Sequence, residues 1–226
     1  MFSRKRKETY RIGDIDLWLP DEMASPAIRS VLSSGNYEQQ EAWLLSGILQ
    51  PDEVVLEIGA GMGYISTFCA KHFHVKEVHA VEANPELIPV IKRNHEINAV
   101  DVAVYNEILG PEDGEGQFYL HESFWASSAT FWEGSRAVDV KLTSFQERLD
   151  TIKPTLLVLD IEGGEVDLFD RIDLTGVQKI FMELHLNNVG RHATLKLFNI
   201  LGAAGFHYDQ WHSQNACVLF SHVDRD

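Results

Sequence analysis

The chain has 226 residues, 45% of them apolar and 23% charged, with a formal net charge of −15 and an isoelectric point near 5. That length suits one α/β domain with a sizeable core, and the negative balance argues against nucleic acid and anionic membrane as partners, because phosphate groups need a basic face. No apolar run reaches the length of a membrane span, and no apolar stretch follows the charged N-terminus to make a signal peptide.

In chain order, Arg4-Lys5-Arg6-Lys7 reads as a solvated tail rather than a patch for an anionic partner. Ile15, Leu17 and Leu19 alternate with Asp14, Asp16 and Trp18, which predicts a short half-buried strand before Pro20. Ser25-Pro26 opens a helix, with serine as cap and proline at its first position, and Gly35-Asn36 breaks it. Tyr37 to Leu49 carries apolar residues at helical spacing and leads through Pro51 into the first core strand, Val54 to Leu56. Gly59, Gly61 and Gly63 then form a turn, and Tyr64 to Phe73 reads as a helix. Lys76 to Glu82 is a second strand, with Asn84 as N-cap and Pro85 as first residue of the helix that runs to Asn98. Val102 to Tyr105 is strand three.

Gln117 to His121 and Ala137 to Leu142 alternate and read as an inserted β pair. Ser123 to Trp132 between them is aromatic and serine-rich, and reads either as a lid over a ligand or as rings packed on the insertion. Thr143 to Leu149 is a short helix, Leu156 to Leu159 strand four and Val177 to Met182 strand five. A helix from Thr194 to Ala203 stops at Gly205, and Phe206 to Tyr208 with Cys217 to Phe220 form a last strand pair. There are no repeats or linkers, so residues 1–226 are read as one domain, with 1–50 covering the cleft and 51–226 forming the core. Cys69 and Cys217 lie among apolar neighbours, so buried free thiols and a cytoplasmic location are expected.

A strand, a glycine turn and a helix begin a βαβ unit whose glycines let a ligand approach the backbone. A dinucleotide site wants Gly-x-Gly-x-x-Gly, whereas this turn is Gly-x-Gly-x-Gly with Tyr64 after it. No Lys or Arg occurs from Glu57 to Thr67, so a P-loop lysine is missing too, and Glu57 would repel a phosphate. S-adenosylmethionine carries an ammonium and a sulfonium and no phosphate, so it suits this turn better than NAD or ATP. Glu82, at the end of strand two, is placed to grip ribose hydroxyls, with Asn84 taking the capping role. Asn106 or Glu107 would bond an adenine amine, with Ile108 packing its face. Tyr37 or Glu38, on the covering helix, would touch the methionine end.

Glu57-x-Gly59-x-Gly61-x-Gly63 followed by Val81-Glu82-Ala83-Asn84-Pro85 resembles a class I S-adenosylmethionine-dependent methyltransferase. Leu157-Val158-Leu159-Asp160-Ile161-Glu162-Gly163-Gly164-Glu165 narrows the likeness to the FkbM-type family. It runs from about Tyr37 to about Phe220. The departures are Glu57 where aspartate is common and Met62 where a smaller polar residue is common. The resemblance implies a Rossmann-like α/β sandwich, with a mostly parallel seven-stranded sheet, an antiparallel C-terminal edge and the inserted β pair. It implies O-methylation of a small-molecule hydroxyl, as on a sugar or natural-product intermediate. The expected cofactor contacts are Tyr37, Glu57, Gly59, Ala60, Gly61, Tyr64, Ile65, Ser66, Glu82, Ala83, Asn84, Asn106, Glu107, Ile108, Ser128 and Asp160, with Ser127 a further candidate.

Glu57, Glu82, Asp160, Glu162, Glu183 and His185 all fall at carboxyl ends of strands, where ligands of open parallel sheets bind. Methyl transfer is an in-line displacement, and a hydroxyl acceptor must also lose its proton. Asp160 or His185 is the expected base, with Glu162 as orienter or second acid. Asp160, Glu162 and Glu183 are hard oxygen donors, but they are read as serving charge balance, and no metal is expected. The alternatives are an N- or peptide methyltransferase, a silent S-adenosylmethionine binder, and an NAD-dependent enzyme.

Overall fold

The computed structural model describes residues 9–121, 134–161, 163–186 and 190–225. Its centre is a seven-stranded sheet in the order β11-β12-β10-β9-β3-β4-β5. The strands are β3 (Val54–Ile58), β4 (Glu77–Glu82), β5 (Ala103–Asn106), β9 (Leu156–Leu159), β10 (Lys179–Glu183), β11 (Phe206–Gln214) and β12 (Cys217–His222). The five from β5 to β10 run parallel, and β12 runs antiparallel to both β10 and β11. The C-terminal hairpin therefore supplies the expected antiparallel element, with β12 inside and β11 outermost.

The central strands are apolar throughout because both faces are covered. Side chains alternate between two cores. Val55, Leu156, Val158 and Phe181 point to one, and Leu56, Leu157, Leu159 and Met182 to the other. The first core is closed by α1 (Pro26–Ser34), α2 (Gln39–Ser46), α3 (Tyr64–His72) and α4 (Ile88–Ile97). The second is closed by α5 (Phe145–Ile152), α6 (Glu165–Leu168) and α7 (Arg191–Ala203). A two-stranded ribbon, β1 (Thr9–Ile12) and β2 (Ile15–Trp18), buries Ile12, Ile15 and Leu17 in the first core.

α1 starts as its sequence dictates. Ser25 accepts a hydrogen bond from the Ile28 amide, Pro26 opens the helix, and Gly35 ends it in the left-handed conformation. The start of α4 differs from expectation. Asn84 accepts from the Glu86 amide in a turn, and the helix begins at Ile88 with Pro89 in its first turn. Asn84 and Pro85 thus form a tight exit from β4 rather than a cap, because the chain must clear the glycine turn before it can run helically.

The inserted pair is real and larger than the alternation suggests. β7 (Gly114–Leu120) pairs antiparallel with β8 (Arg136–Ser144), and β6 (Ile108–Gly110) lies parallel along β8. Phe118, Leu120 and Val140 form its own small core. Cys69 and Cys217 are both buried and free. Among the described residues, no helix is long and apolar enough to cross a membrane.

Candidate functional site

Strand order reverses between β3 and β9, the place where ligands of such sheets bind. A cleft of about 680 Å³ opens there. Tyr37, Glu38, Gly59, Gly61, Glu82, Ala83 and Asp160 line it from the glycine-turn side. Glu107, Ile108, Leu109, Phe118 and Leu142 line it from the insertion, and Glu183 and His185 from the end of β10. Six of the described lining residues are carboxylic acids (Glu38, Glu82, Glu107, Asp160, Asp167 and Glu183), and none is Lys or Arg. A second cleft of about 780 Å³ lies beside Val177 and Gln178, ahead of β10 and so at the opposite edge of the sheet. It is remote from the reversal point, and we assign the site to the first.

The glycine turn is shaped as much by the protein as by any ligand. Gly59 has φ +88°, and a Cβ there would lie 2.0 Å from the Asp160 carbonyl oxygen. Only glycine lets β3 and β9 approach so closely at their ends. Gly61, with φ +54°, faces the Tyr37 hydroxyl, 3.1 Å from where its Cβ would be. Tyr37 is buried, with its ring edge-on to Tyr64. Glu38 follows it at φ +50°, a strained position for a non-glycine residue, and starts α2 beside the cleft.

Glu82 is not left free, as its sequence position suggested. Its two oxygens accept backbone amide hydrogens from Gly61 at 2.8 Å and Asn84 at 2.7 Å. Each oxygen has a further lone pair, so the clamped carboxylate can still accept hydroxyls from the cleft. Burial pushes it up to about 7, against those same amide bonds. Burial also pushes Glu57 up to about 8, with hydrogen bonds from Ser66 opposing and the charges of Glu82 and Asp160 adding. Glu38 is raised well above the usual carboxyl range, chiefly by burial and then by Asp160 and Glu57, although Tyr37 donates a hydrogen bond to it.

The remaining expected contacts divide. Glu57 and Ile65 line a narrow adjoining pocket with Glu38, Asp160 and Glu183. Ala60 is buried and donates its amide hydrogen to the Val81 carbonyl. Tyr64 accepts from Gln39, tying the start of α2 to α3. Ser66 is fully buried, hydrogen-bonded to Glu57 and 3.0 Å from the ring nitrogen Nε2 of His95. Burial holds that imidazole down to about 4, so it is neutral. Asn106 donates to the backbone carbonyls of Glu82 and Ala83. Glu107 reaches the cleft with its carboxylate already engaged by Thr143 at 2.8 Å and Arg148 at 2.7 Å. Ala60, Tyr64, Ser66, Asn84 and Asn106 therefore brace the turn instead of lining the cleft, because their polar atoms are spent on its backbone and on neighbouring helices. Ser127, Ser128, Glu162 and the aromatic run Ser123 to Trp132 lie outside the described residues.

At the acceptor side, His185 Nε2 stands 3.8 Å from Asp160 Oδ1 and 4.0 Å from Glu183 Oε1. Its Nδ1 stands 3.7 Å from Glu165, a fully buried acid on α6. Asp160 and His185, expected to share the chemistry, are thus together. Glu183, expected only as a strand-end acid serving charge balance, joins them, and so does Glu165, which was not among the expected site residues. The sequence signals for Glu165 are its place as the last acid of the Asp160 to Glu165 run and its apolar neighbours Val166 and Leu168.

No curated protein sequence matches the chain. Residues 28–112, less than half of the 226, match the TRM5/TYW2 methyltransferase domain. The solved structures it resembles include TYW2 of M. jannaschii in complex with AdoMet, at 12% identity and TM-score 0.51, over 99% of this chain and 90% of that one. The tRNA (uracil-54, C5)-methyltransferase of Pyrococcus abyssi, in complex with S-adenosyl-L-homocysteine, has 15% identity and TM-score 0.51, over 95% of this chain and 43% of that one. The ribosomal protein L11 methylase of Lactobacillus delbrueckii subsp. bulgaricus has 14% identity and TM-score 0.50, over 82% and 77%.

These findings correct one expectation. The acidic composition argued against nucleic acid, and the family resemblance implied a small-molecule hydroxyl acceptor. The match of residues 28–112 to the TRM5/TYW2 methyltransferase domain contradicts that pairing. Net charge is a sum over the whole surface and does not describe the face that meets a substrate. The sheet order, the acidic cleft at the reversal point and the matched domain together give the chain the Rossmann-like fold of the class I S-adenosylmethionine-dependent methyltransferases.

Proposed function

We propose that the protein transfers the methyl group of S-adenosylmethionine to an acceptor oxygen at the rim formed by β9 and β10. The observation that carries this reading is the cleft itself: six acids and no Lys or Arg among its described lining residues, at the point where strand order reverses. Such a lining favours a sulfonium and an ammonium and rejects a diphosphate. The residues fit that group. Glu82, oriented by two backbone amides, would hold ribose hydroxyls. Ile108, Leu109, Phe118 and Leu142 offer an apolar slot for a purine. Tyr37, Glu38 and Gly61 surround the space left for the amino-acid end.

The bound cofactor supplies an electrophilic methyl group. The protein's part is to hold the acceptor in line and to take its proton. Asp160 is half-exposed at the rim, with His185 behind it and Glu183 alongside. This cluster is the proposed proton acceptor. The run Asp160-Ile161-Glu162-Gly163-Gly164-Glu165 resembles FkbM-type enzymes and supports oxygen as the atom methylated. RNA is the first acceptor to test, because residues 28–112 match the TRM5/TYW2 domain.

The test is calorimetry with S-adenosylmethionine, followed by transfer of a labelled methyl group to bulk tRNA and, separately, to an RNA-free cell extract. Binding and S-adenosylhomocysteine release in one pool are expected. Asp160→Asn should lower kcat by about 100-fold or more, the usual share of a general base. Tighter binding of NADH, or binding with no turnover in either pool, rejects the reading. Turnover of Asp160→Asn at the wild-type rate rejects the role of Asp160.

A further inference from the structure

We propose that Asp160, Glu183 and His185 form a binding site for a divalent transition-metal ion, held from behind by Glu165. The inference deepens the proposed function, since it names what the acceptor-side cluster holds, but its test does not depend on methyl transfer.

The first observation is spacing. One donor atom from each of the three side chains lies within 4.8 Å of the other two. His185 Nε2 is 3.8 Å from Asp160 Oδ1 and 4.0 Å from Glu183 Oε1. These distances are too long for hydrogen bonds. They are close to the separations of about 3–4 Å between donors that share one ion at bond lengths of about 2.1 Å. The donors come from the ends of two adjacent, rigid, parallel strands, β9 and β10, so the backbone sets their spacing.

The second observation is independent and concerns Glu165. Its side chain is fully buried, and neither carboxylate oxygen has a hydrogen-bond partner. An unpaired buried carboxylate is costly, and a protein keeps one when something is to be placed opposite it. What stands opposite is His185 Nδ1, 3.7 Å from Glu165 Oε1. The imidazole thus turns one nitrogen to the acid pair at the rim and the other to a buried acid. A metal-ligating histidine faces a carboxylate in this way, and at hydrogen-bond distance its second N–H donates to that carboxylate, which fixes the tautomer and raises the ring's basicity; here the two stand 3.7 Å apart and would have to close up on metal binding.

The donor set, one imidazole and two carboxylates, selects the ion class. Magnesium and calcium prefer all-oxygen shells, whereas manganese, iron(II), cobalt and zinc accept the mixture. Three protein donors leave open positions facing the cleft. An acceptor hydroxyl bound there would lose its proton more readily, since a divalent ion stabilises the oxyanion.

The experiment uses tag-free protein dialysed against a chelator, titrated with Mn²⁺ by electron paramagnetic resonance and with Co²⁺ by optical absorption. One saturable site is expected, and the Co²⁺ spectrum should show nitrogen ligation that disappears in His185→Ala. Glu165→Gln removes no ligand, yet it should weaken binding by roughly 10- to 100-fold, the usual effect of losing such a support. Glu183→Gln, at a partly exposed position, should fold even where Glu165→Gln does not, and should weaken binding by at least 10-fold on the same scale.

Absence of saturable binding by either ion overturns the proposal, as does unchanged affinity in both Glu183→Gln and His185→Ala. A protonated His185 that satisfies Glu165 alone, seen by NMR titration without metal uptake, also overturns it. Methyl transfer by a protein that takes up neither ion would leave the methyltransferase reading standing and remove this one. Metal binding without methyl transfer would do the reverse.

Discussion

Glu57 sits inside β3 at 3% exposure, with Glu82 and Asp160 as neighbouring acids. In sequence it reads as a carboxylate waiting for a cation. In the fold, burial lifts it to about 8 and Glu82 to about 7, so near neutral pH Glu57 is mostly protonated and Glu82 about half so. The positions of these acids were legible, because each ends a strand. Their protonation was not, because it depends on neighbours that only the fold brings together. The consequence is testable. A sulfonium or ammonium favours the ionised acids, so cofactor binding must expel protons. Each proton expelled weakens apparent affinity by about tenfold for every pH unit below the group's pKa. S-adenosylmethionine should therefore bind more tightly as pH rises from 6 to 8. Calorimetry in two buffers of different ionisation enthalpy should show net proton release. Glu57→Gln should flatten the upper part of that profile. A profile flat across this range in the wild type would mean that the cofactor's charges do not meet these acids.

The elements nearest the site are tied together by side chains that no motif announces. Asn94, fully buried on α4, accepts the Trp18 amide hydrogen at 2.6 Å and donates to the Met62 carbonyl at 2.9 Å. Asn98, one turn on, accepts from the Asp16 amide and donates to the Asp16 carbonyl. One helix thus fastens the β1–β2 ribbon and the glycine turn at once. The existence of α4 and β2 was readable from their apolar periods, and β9 was readable to the residue, because it is a short buried run with polar flanks. The link was not readable. Asparagine on a helix is common, and nothing local says that its amide bridges residues 32 and 76 positions away. The same limit explains the N-terminus of α4, where a cap signal at Asn84 served a turn instead. Asn94→Ala leaves a buried amide and a buried carbonyl unpaired, each worth about 1–3 kcal/mol. The melting temperature should fall, and cofactor affinity should fall with it as the turn loosens. Asn98→Ala, which frees only the ribbon, should lower stability with little change in affinity. Equal effects of the two on affinity would show that the turn is held by other contacts.

Over the whole molecule, the buried acids act against a net charge of −15. Glu38, Glu57 and Glu82 all titrate above an ordinary glutamate in the fold, and all return to the ordinary range on unfolding. Between about pH 4.5 and 8 these acids give the native state more protons than the unfolded state, and they outnumber the one proton that His95, held down to about 4, lacks below about pH 6.5. Linkage fixes the sign: stability is greatest below the unfolded pKa and is lost as pH rises through the folded values. Each excess native proton costs about 1.4 kcal/mol per pH unit in that window. Repulsion among the surface acids, already ionised at pH 5.5, lowers stability throughout this range without adding to the slope. Without cofactor, the midpoint of urea unfolding should fall from pH 5.5 to pH 8. With saturating S-adenosylmethionine the slope should shrink, because the cation takes the place of the bound protons. Salt should also raise the midpoint throughout this range by screening the surface acids, whereas it screens the buried acids much less. A midpoint that instead rises with pH would mean that Glu57 and Glu82 are already ionised in the native protein, and cofactor binding would then release no protons from them.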